Sequence, residues 1–479
     1  MAPGLKQLIV RNGGMELKEA VIRTLSEHYR VPESLLSGVF GTKPSTGSGF
    51  FLFGPGTICY GSCTSSIAAN LEDVRLYDAS KDVRFDRSGV HLPFDPDQVI
   101  ENLRCERYKN SLVSGREKII SSEWALNSYY FVRDLLPVSF RRQMQRAYFG
   151  DWKSKTFPTW PVDVTVDTLH ETFLRLAMEA RTVYKVPFIW FWPEGAPSCL
   201  MMTHDVETKA GRDFTPQLMD LDESYAFKAS FQVVPEKRYE VSDEYVQQIR
   251  DRKFEFNIHD LNHDGNLYRN REEFLLRARK INGYVHQYGA RGFRAGAFYR
   301  NPEWYDAFEF SYDMSIPNVA HLEPQSGGCC TIMPFFIGKI LELPLTTAED
   351  YSLFHVLNDF SIDLWKRQFE LITIRHGMAS FLTHPDYLVE ARARKIYETL
   401  LVYLTERTTI DKVWKALPGE VDHWWRARSQ MQLVSQGSGW EIQGPQKERA
   451  RVAFAVLDGQ QLTYEIAGDS AEKLSAPRT

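Results

Sequence analysis

Between about residues 186 and 420, short apolar runs alternate with longer stretches in which apolar residues recur every three or four positions. The runs are "SCLMMTHDV", "KASFQVV", "KFEFNIH", "GFRAG", "YDMSI", "ILELPL" and "MASFLTH". They read as strands, and the stretches between them predict helices near 213–224, 241–251, 271–288, 361–376 and 388–407. Strands that alternate with helices in this way predict an α/β fold built on a parallel barrel or sheet. In such folds polar chemistry gathers at the C-terminal ends of the strands.

The flanks read differently. Residues 1–165 open with the helical pattern "MELKEAVIRTLSEHY" and turn to Gly-rich, β-prone text, "GSGFFLFGPGTICYGSC", "VRLYD" and "GVHLPF", with Asp95 placed as a helix N-cap. This is expected to be a mixed α/β region that ends near "KTFPTWPVDVT", before the helix "VDTLHETFLRLAMEAR". The barrel region is then 166–425. Residues 426–467 alternate apolar and polar positions between turns and predict a small antiparallel β appendage, and 468–479 have nothing to bury and read as a disordered tail.

Composition narrows the function. The chain of 479 residues is 43% hydrophobic and has a formal charge of −5, which leaves no basic footprint for nucleic acid or an anionic membrane surface. No apolar run reaches the roughly 20 residues that span a bilayer, and "MAPGLKQLIVRNGGMELKEA" lacks a signal-peptide core, so a cytoplasmic location is expected. Six cysteines form neither a disulfide framework nor a paired zinc motif; they read as buried thiols, with Cys59 and Cys63 as the one pair that a bridge or metal can use.

The chemistry-bearing residues stand at strand ends. In "NIHDLNHDG", His259 and His263 are four apart, which brings two imidazoles together if the chain turns into a helix or tight loop. With 12 histidines in the chain, roughly 0.3 such pairs arise by composition alone, so the pair needs support. "CLMMTHDVETKAG" supplies it: an apolar run ends in Asp205 and Glu207, and two histidines with one carboxylate are a common set for a catalytic divalent ion. The same acids also fit a helix start with solvent-facing charge. "SFLTHPDYL" ends a strand in His384, a group able to act as general acid at neutral pH. Arg294 and Asp313 follow short β-like runs and, as opposite charges, can tune a neighbouring catalytic group or simply bridge each other.

In order, "THDVE", "HDLNH", "FRAGAFY", "DMSIP" and "FLTH" resemble the five motifs of the polysaccharide deacetylase family with the NodB-homology domain, over about residues 197–410. The resemblance implies a distorted (β/α) barrel and a divalent metal, most often zinc, with cobalt, nickel or manganese as substitutes, that serves to hydrolyse N-acetyl or O-acetyl groups on sugars. Carried over by position, it implies Asp205 as general base, His259 and His263 as metal ligands, Arg294 as support for the base and His384 as general acid. Asp313 belongs to the fourth motif. Where the family usually has two adjacent aspartates, Val206 fills the second place, so the third ligand passes to Glu207 on an Asp-x-Glu pattern, with Asp205 as the alternative. His204 stands where the family usually has Phe and reads as a packed residue or as a contact to metal ligands or substrate. Asp260 replaces a Ser or Thr and reads as a charge beside the metal or as a turn cap.

The expected partner is a carbohydrate, and aromatic text at 188–195, "FIWFWPEG", and at Trp304 and Tyr305 can stack on a sugar face or fill a core. Two rivals remain. Hydrolases of cyclic imides or allantoin-type rings resemble the same family, and the loss of an aspartate at Val206 also fits a non-catalytic carbohydrate-binding relative.

Overall fold

The computed structural model describes residues 22–112 and 152–468, apart from 33, 34, 36, 37, 45, 46, 72–74 and 438. The start of the first predicted helix and the tail from 469 onward lie outside the described residues. Helix α1 (Thr165–Ala180) leads into the region of alternating elements. There follow β1 (Cys199–Val206), α2 (Lys209–Ser224), β2 (Ser230–Val233), α3 (Asp243–Asp251), β3 (Glu255–His259), α4 (Arg271–Tyr288), β4 (Gly292–Arg294) and β5 (Tyr312–Asp313). The second half adds β6 (Phe335–Ile337), β7 (Ile340–Glu342), α5 (Asp363–Thr373), β8 (Met378–Thr383), α6 (Ala391–Ile410), β9 (Trp414–Lys415) and α7 (Pro418–Gln430). Every strand predicted between 186 and 420 is present, and β6, β9 and a separate strand at Lys185–Ile189 are additions.

These strands form one sheet in the order β6-β7-β5-β4-β3-β2-β1-β8, with β9 beside the start of β1. All neighbours are parallel except β6 and β7. The fold class is the expected one, an α/β distorted (β/α) barrel. β1 is buried along all eight residues, as a central parallel strand covered on both faces must be. Its helices start on caps written in the sequence: Ser242 accepts from Tyr245 N, and Asn270 accepts from Glu273 N at 2.9 Å.

The distortion lies where the sheet fails to close. Between the segment after β7 and strand β8, side chains stand in for a ladder. Thr346 Oγ1 donates to Met378 O and accepts from Ser380 N, both at 2.8 Å, and Thr347 Oγ1 donates to Ser380 O at 2.8 Å.

In the N-terminal region, strands Gly49–Leu52 and Ile58–Gly61 pair as a hairpin, and Asp95 caps helix Pro96–Arg104 through Asp97 N and Gln98 N. "VRLYD" yields no described strand; Asp78 makes only an isolated bridge to Leu52. Cys59 and Cys63 are free buried thiols. The region is joined to the barrel by a closed ion pair: Arg300, from the loop after β4, donates to both carboxylate oxygens of Glu106, and neither side chain is exposed. The C-terminal strands Val452–Asp458 and Gln461–Ile466 form an antiparallel hairpin whose first strand also pairs with Lys185–Ile189. Just beyond that pairing, Trp190 and Trp192 are 0% exposed, with their indole N–H groups donating to Ala196 O and His376 O. These rings, and the buried Tyr305, are core and not a sugar platform.

Candidate metal centre

Pleating decides which residues of "THDVE" reach the barrel interior. Successive strand residues face opposite sides, and Thr203 and Asp205 both bond Arg294 across the interior. His204 faces the helices instead, between Thr383 Oγ1 at 2.9 Å and Asp222 Oδ2 at 3.0 Å, and Asp222 also accepts from Tyr397 OH. Val206 shares that outer face and is fully buried. An acid two positions after Asp205 therefore reaches the interior where an adjacent one does not. His204 is a packed residue of the sheet's outer face, with no part in the centre.

His259 ends β3, and the chain then turns through a tight loop, not a helix. Asp260 (φ 55°) and His263 (φ 53°) both take the left-handed region, which costs about 1–3 kcal/mol for a residue with a Cβ. The turn brings the two imidazole centroids to 4.9 Å. Asp260 caps it by accepting from Leu261 N at 2.7 Å, while its Oδ2 is buried without a partner. Gly296, from the "FRAGAFY" loop, lies against this turn. A Cβ there would stand 2.7 Å from Asp260 Oδ2 and 2.9 Å from His263 Cδ2, so the position excludes a side chain.

Glu207, His259 and His263 are the one group of metal-capable side chains among the described residues whose donor atoms all lie within 4.8 Å of one another. Glu207 Oε1 is 2.9 Å from His263 Nε2 and 3.8 Å from His259 Nε2. Apart from these approaches to Glu207, neither Nε2 has a hydrogen-bond partner, although both are buried. His259 Nδ1 lies 3.0 Å from the carbonyl of Arg294, and a donor on that nitrogen leaves the Nε2 lone pair free. Two buried imidazole nitrogens that share one carboxylate oxygen as their near neighbour fit a divalent cation, and the donor set suits a zinc-like ion. Asp386 holds Glu207 in place by accepting from its N–H at 3.0 Å, and Gly211 leaves room for that carboxylate, which a Cβ would meet at 2.5 Å.

Two further groups flank the triad. Asp205 Oδ1 accepts from Arg294 at 2.7 Å, and its Oδ2 lies 3.6 Å from His259 Nε2. Burial alone would raise the Asp205 pKa, but Arg294 and the neighbouring histidines hold it below the ordinary value. Burial likewise opposes ionisation of Glu207, and His263, His259 and His384 together keep it well below. His384 follows β8. Its Nε2 lies 3.6 Å from Glu207 Oε1, and its Nδ1 pairs with Asp350 Oδ1 at 2.6 Å. Burial would lower its pKa, yet Asp350 and then Glu207 raise it well above the usual imidazole value.

Asp313 lies in a different network. It accepts from Tyr305 OH at 2.6 Å and from Ser315 Oγ at 2.7 Å, and burial raises its pKa. Among the described residues no ion pair links it to Arg294; that guanidinium serves Asp205, Thr203 and Met314 O. Sequence reasoning missed Glu323 and Glu349, which reach this end of the barrel on loops, and Asp350, which opens the short helical turn after Glu349; none carries a periodic signal. It also missed Asp386, although that residue stands in the quoted "SFLTHPDYL".

No protein-family model and no curated protein matches the chain. Solved structures do. A protein assigned to the polysaccharide deacetylases, from Mycobacterium smegmatis, is 16% identical over 52% of this chain and 98% of its own, at a TM-score of 0.41. A peptidoglycan deacetylase from Bacillus subtilis is 12% identical over 47% of this chain and 90% of its own, at 0.31. A pseudoenzyme of the same carbohydrate esterase family, from Bacillus anthracis, is 13% identical over 47% and 65%, at 0.28. The family named from the motifs is thus the one these neighbours carry. At such scores the likeness says nothing of this chain's chemistry, which its own side chains must carry.

Proposed function

We propose that the protein is a metal-dependent hydrolase that removes acetyl groups from N-acetylated or O-acetylated sugars of a polysaccharide or glycan precursor. The observation that carries this is the convergence of Glu207, His259 and His263, with both Nε2 atoms lacking any other partner, between an acid fixed by Arg294 and a histidine fixed by Asp350. A divalent ion held by those three residues, zinc or a similar ion, supplies Lewis acidity, polarising the acyl carbonyl and lowering the pKa of water.

The chain's own residues do the rest. Arg294 occupies Asp205 Oδ1, so Oδ2 is the oxygen left to take a proton from the attacking water. The water oxygen joins the acyl carbon. His384 enters the reaction protonated, because Asp350 stabilises its imidazolium, and its Nε2 gives that proton to the departing sugar nitrogen or oxygen as the bond to the acyl carbon breaks. The products are acetate and a free amine or hydroxyl. Asp205 Oδ2 lies 3.6 Å from His259 Nε2 and His384 Nε2 lies 3.6 Å from Glu207 Oε1, so proton removal and proton delivery fall to two different residues beside the triad.

Acetate release from N-acetylated oligosaccharides with added Zn²⁺ or Co²⁺, comparing the natural protein with Asp205→Asn, tests the assignment. Loss of release in the variant supports it. Turnover of ring imides without acetate release would move the substrate class, and equal activity in both proteins would remove Asp205 from its role.

A further inference from the structure

Strand β2 lies between β1, which leads to Glu207, and β3, which ends in His259 before the turn to His263. The loop that follows β2 touches both of these ligand-bearing segments through two consecutive residues. Arg238 donates from Nε to Asn262 O at 3.2 Å and from a terminal nitrogen to His263 O. Tyr239 donates its hydroxyl to Val206 O, the carbonyl just before Glu207, and accepts from Val234 N at 3.0 Å, which ties it to the end of β2. Just before them, Glu236 N donates to Leu261 O at 3.1 Å. The carbonyls of Leu261, Asn262 and His263 are thus all held from this one loop.

The turn has need of such a hold. His259 is oriented through its ring, whose Nδ1 lies against the Arg294 carbonyl, whereas among the described residues no hydrogen bond fixes the His263 ring from its Nδ1. His263 must be placed through its main chain, and that main chain is in the left-handed region, a conformation that persists only where the surroundings over-determine it. Arg238 suits the task. Its Nε and terminal nitrogen share one edge of a planar fork and meet two successive carbonyls, which an extended chain would point in opposite directions.

We infer that Arg238 and Tyr239 are positioning residues for the metal, a brace between the segments that carry Glu207 and His263. It fixes the approach of Glu207 Oε1 to His263 Nε2, which is 2.9 Å. The inference rests on the metal centre of the proposed function and deepens it, and it does not depend on the substrate. Neither side chain belongs to the ligand triad, and Arg238 is exposed, so its replacement is expected to leave the fold intact.

The test is the zinc dissociation constant of the natural protein, Arg238→Met, Arg238→Lys and Tyr239→Phe, read by competition with a chromogenic chelator. Thermal unfolding of the same proteins without metal accompanies it. Zinc binding should weaken by about 10–100-fold in Arg238→Met and in Tyr239→Phe, the usual loss when a group that orients a ligand is removed. The sign is diagnostic, because taking a positive charge from beside the turn would by electrostatics alone tighten the hold on a cation. Arg238→Lys keeps the charge without the fork and should bind zinc as weakly as Arg238→Met. Unchanged or tighter binding in Arg238→Met or Tyr239→Phe, or full affinity in Arg238→Lys, overturns the brace, whatever the metal-free stability of the variants. Were Arg238→Met not to fold, Arg238→Lys and Tyr239→Phe decide on the same terms. If the natural protein takes up no zinc, brace and metal centre fall together. If it binds zinc with the expected losses in the variants but releases no acetate, the brace stands and the deacetylase assignment falls.

Discussion

Strand β3 presents the same inward face at its two ends, and the two ends solve the problem of buried polar groups in opposite ways. At its start, Asn257 donates to Ser230 Oγ and Tyr312 OH at 2.8 Å and to Glu255 at 2.5 Å, while its Oδ1 accepts from Gly292 N at 2.7 Å. Glu255 also accepts from Tyr312 OH and from Gly419 N. At the other end, His259 has one nitrogen held by a backbone carbonyl and the other without a partner. Strand, face and depth are shared, so they do not separate structure from function. Completeness does: the lower end closes on itself, and the upper end is finished only by something the chain does not supply.

The sharpest way to break this contrast is to remove the upper end's donors. Purified protein should carry about one metal ion per chain, and His263→Ala should lose it. With it should go more than about 10⁴-fold in kcat/KM, beyond the 10²–10⁴-fold of a single acid–base group. Elemental analysis beside kinetics reads both, and unchanged metal content in the variant would sink the metal assignment. Substituting His384 by Gln should leave metal content alone and lower kcat by about 10²–10⁴-fold, since the site then lacks a proton donor and nothing else.

The lower end makes the opposite prediction, a stability effect with no catalytic one. Burial raises Glu255 from 4.5 to about 7, against the pull of Asn257 and its other donors. The folded state therefore holds this proton more tightly than the unfolded chain does. The stabilisation is complete below about pH 4.5 and is lost as pH rises through about 7, to a limit of about 3 kcal/mol. Denaturant unfolding across that window should show a flatter pH dependence in Glu255→Gln than in the natural protein, with acetate release kept. Equal slopes would mean the lower network does not hold a proton. The smallest effect belongs outside both ends: Asn270→Ala removes the cap of α4 and should cost about 1 kcal/mol by thermal unfolding, without touching metal or rate.

The sequence made legible whatever depends on local period. The alternation of runs from "SCLMMTHDV" to "MASFLTH" placed every strand of the sheet except β6 and the short β9, because parallel strands buried on both faces need such runs. His259 and His263 were readable from spacing, and Glu207 from the pattern the family resemblance implies, with Asp205 as the alternative; the pleat that turns Val206 outward shows only in the structure. What could not be read is what depends on distant closure. Trp190 and Trp192 looked free to stack on a sugar, but the Trp190 main-chain N–H is bonded to Arg451 O at the end of a strand pairing some 260 residues later and Trp192 packs against Trp414 and Trp425. Asp313 looked like a partner for Arg294, but its hydroxyl donors come from Tyr305 and Ser315. Asp350, Glu349 and Glu323 sit on connecting segments whose course no period foretells, and their approach to His384 becomes visible only once the segment after β7 lies beside β8.

The buried pair of Glu106 and Arg300 bears on how this chain can change over generations. Its two halves are written about two hundred residues apart, on opposite sides of the boundary expected near 165. Stranding one buried charge costs about 3–5 kcal/mol, a large share of an ordinary stability margin. A recombination that joined this barrel to a different leading sequence would inherit an arginine with no counterpart. Such a hybrid would survive only if Arg300 were replaced in the same step, so the two stretches should travel together as one heritable unit.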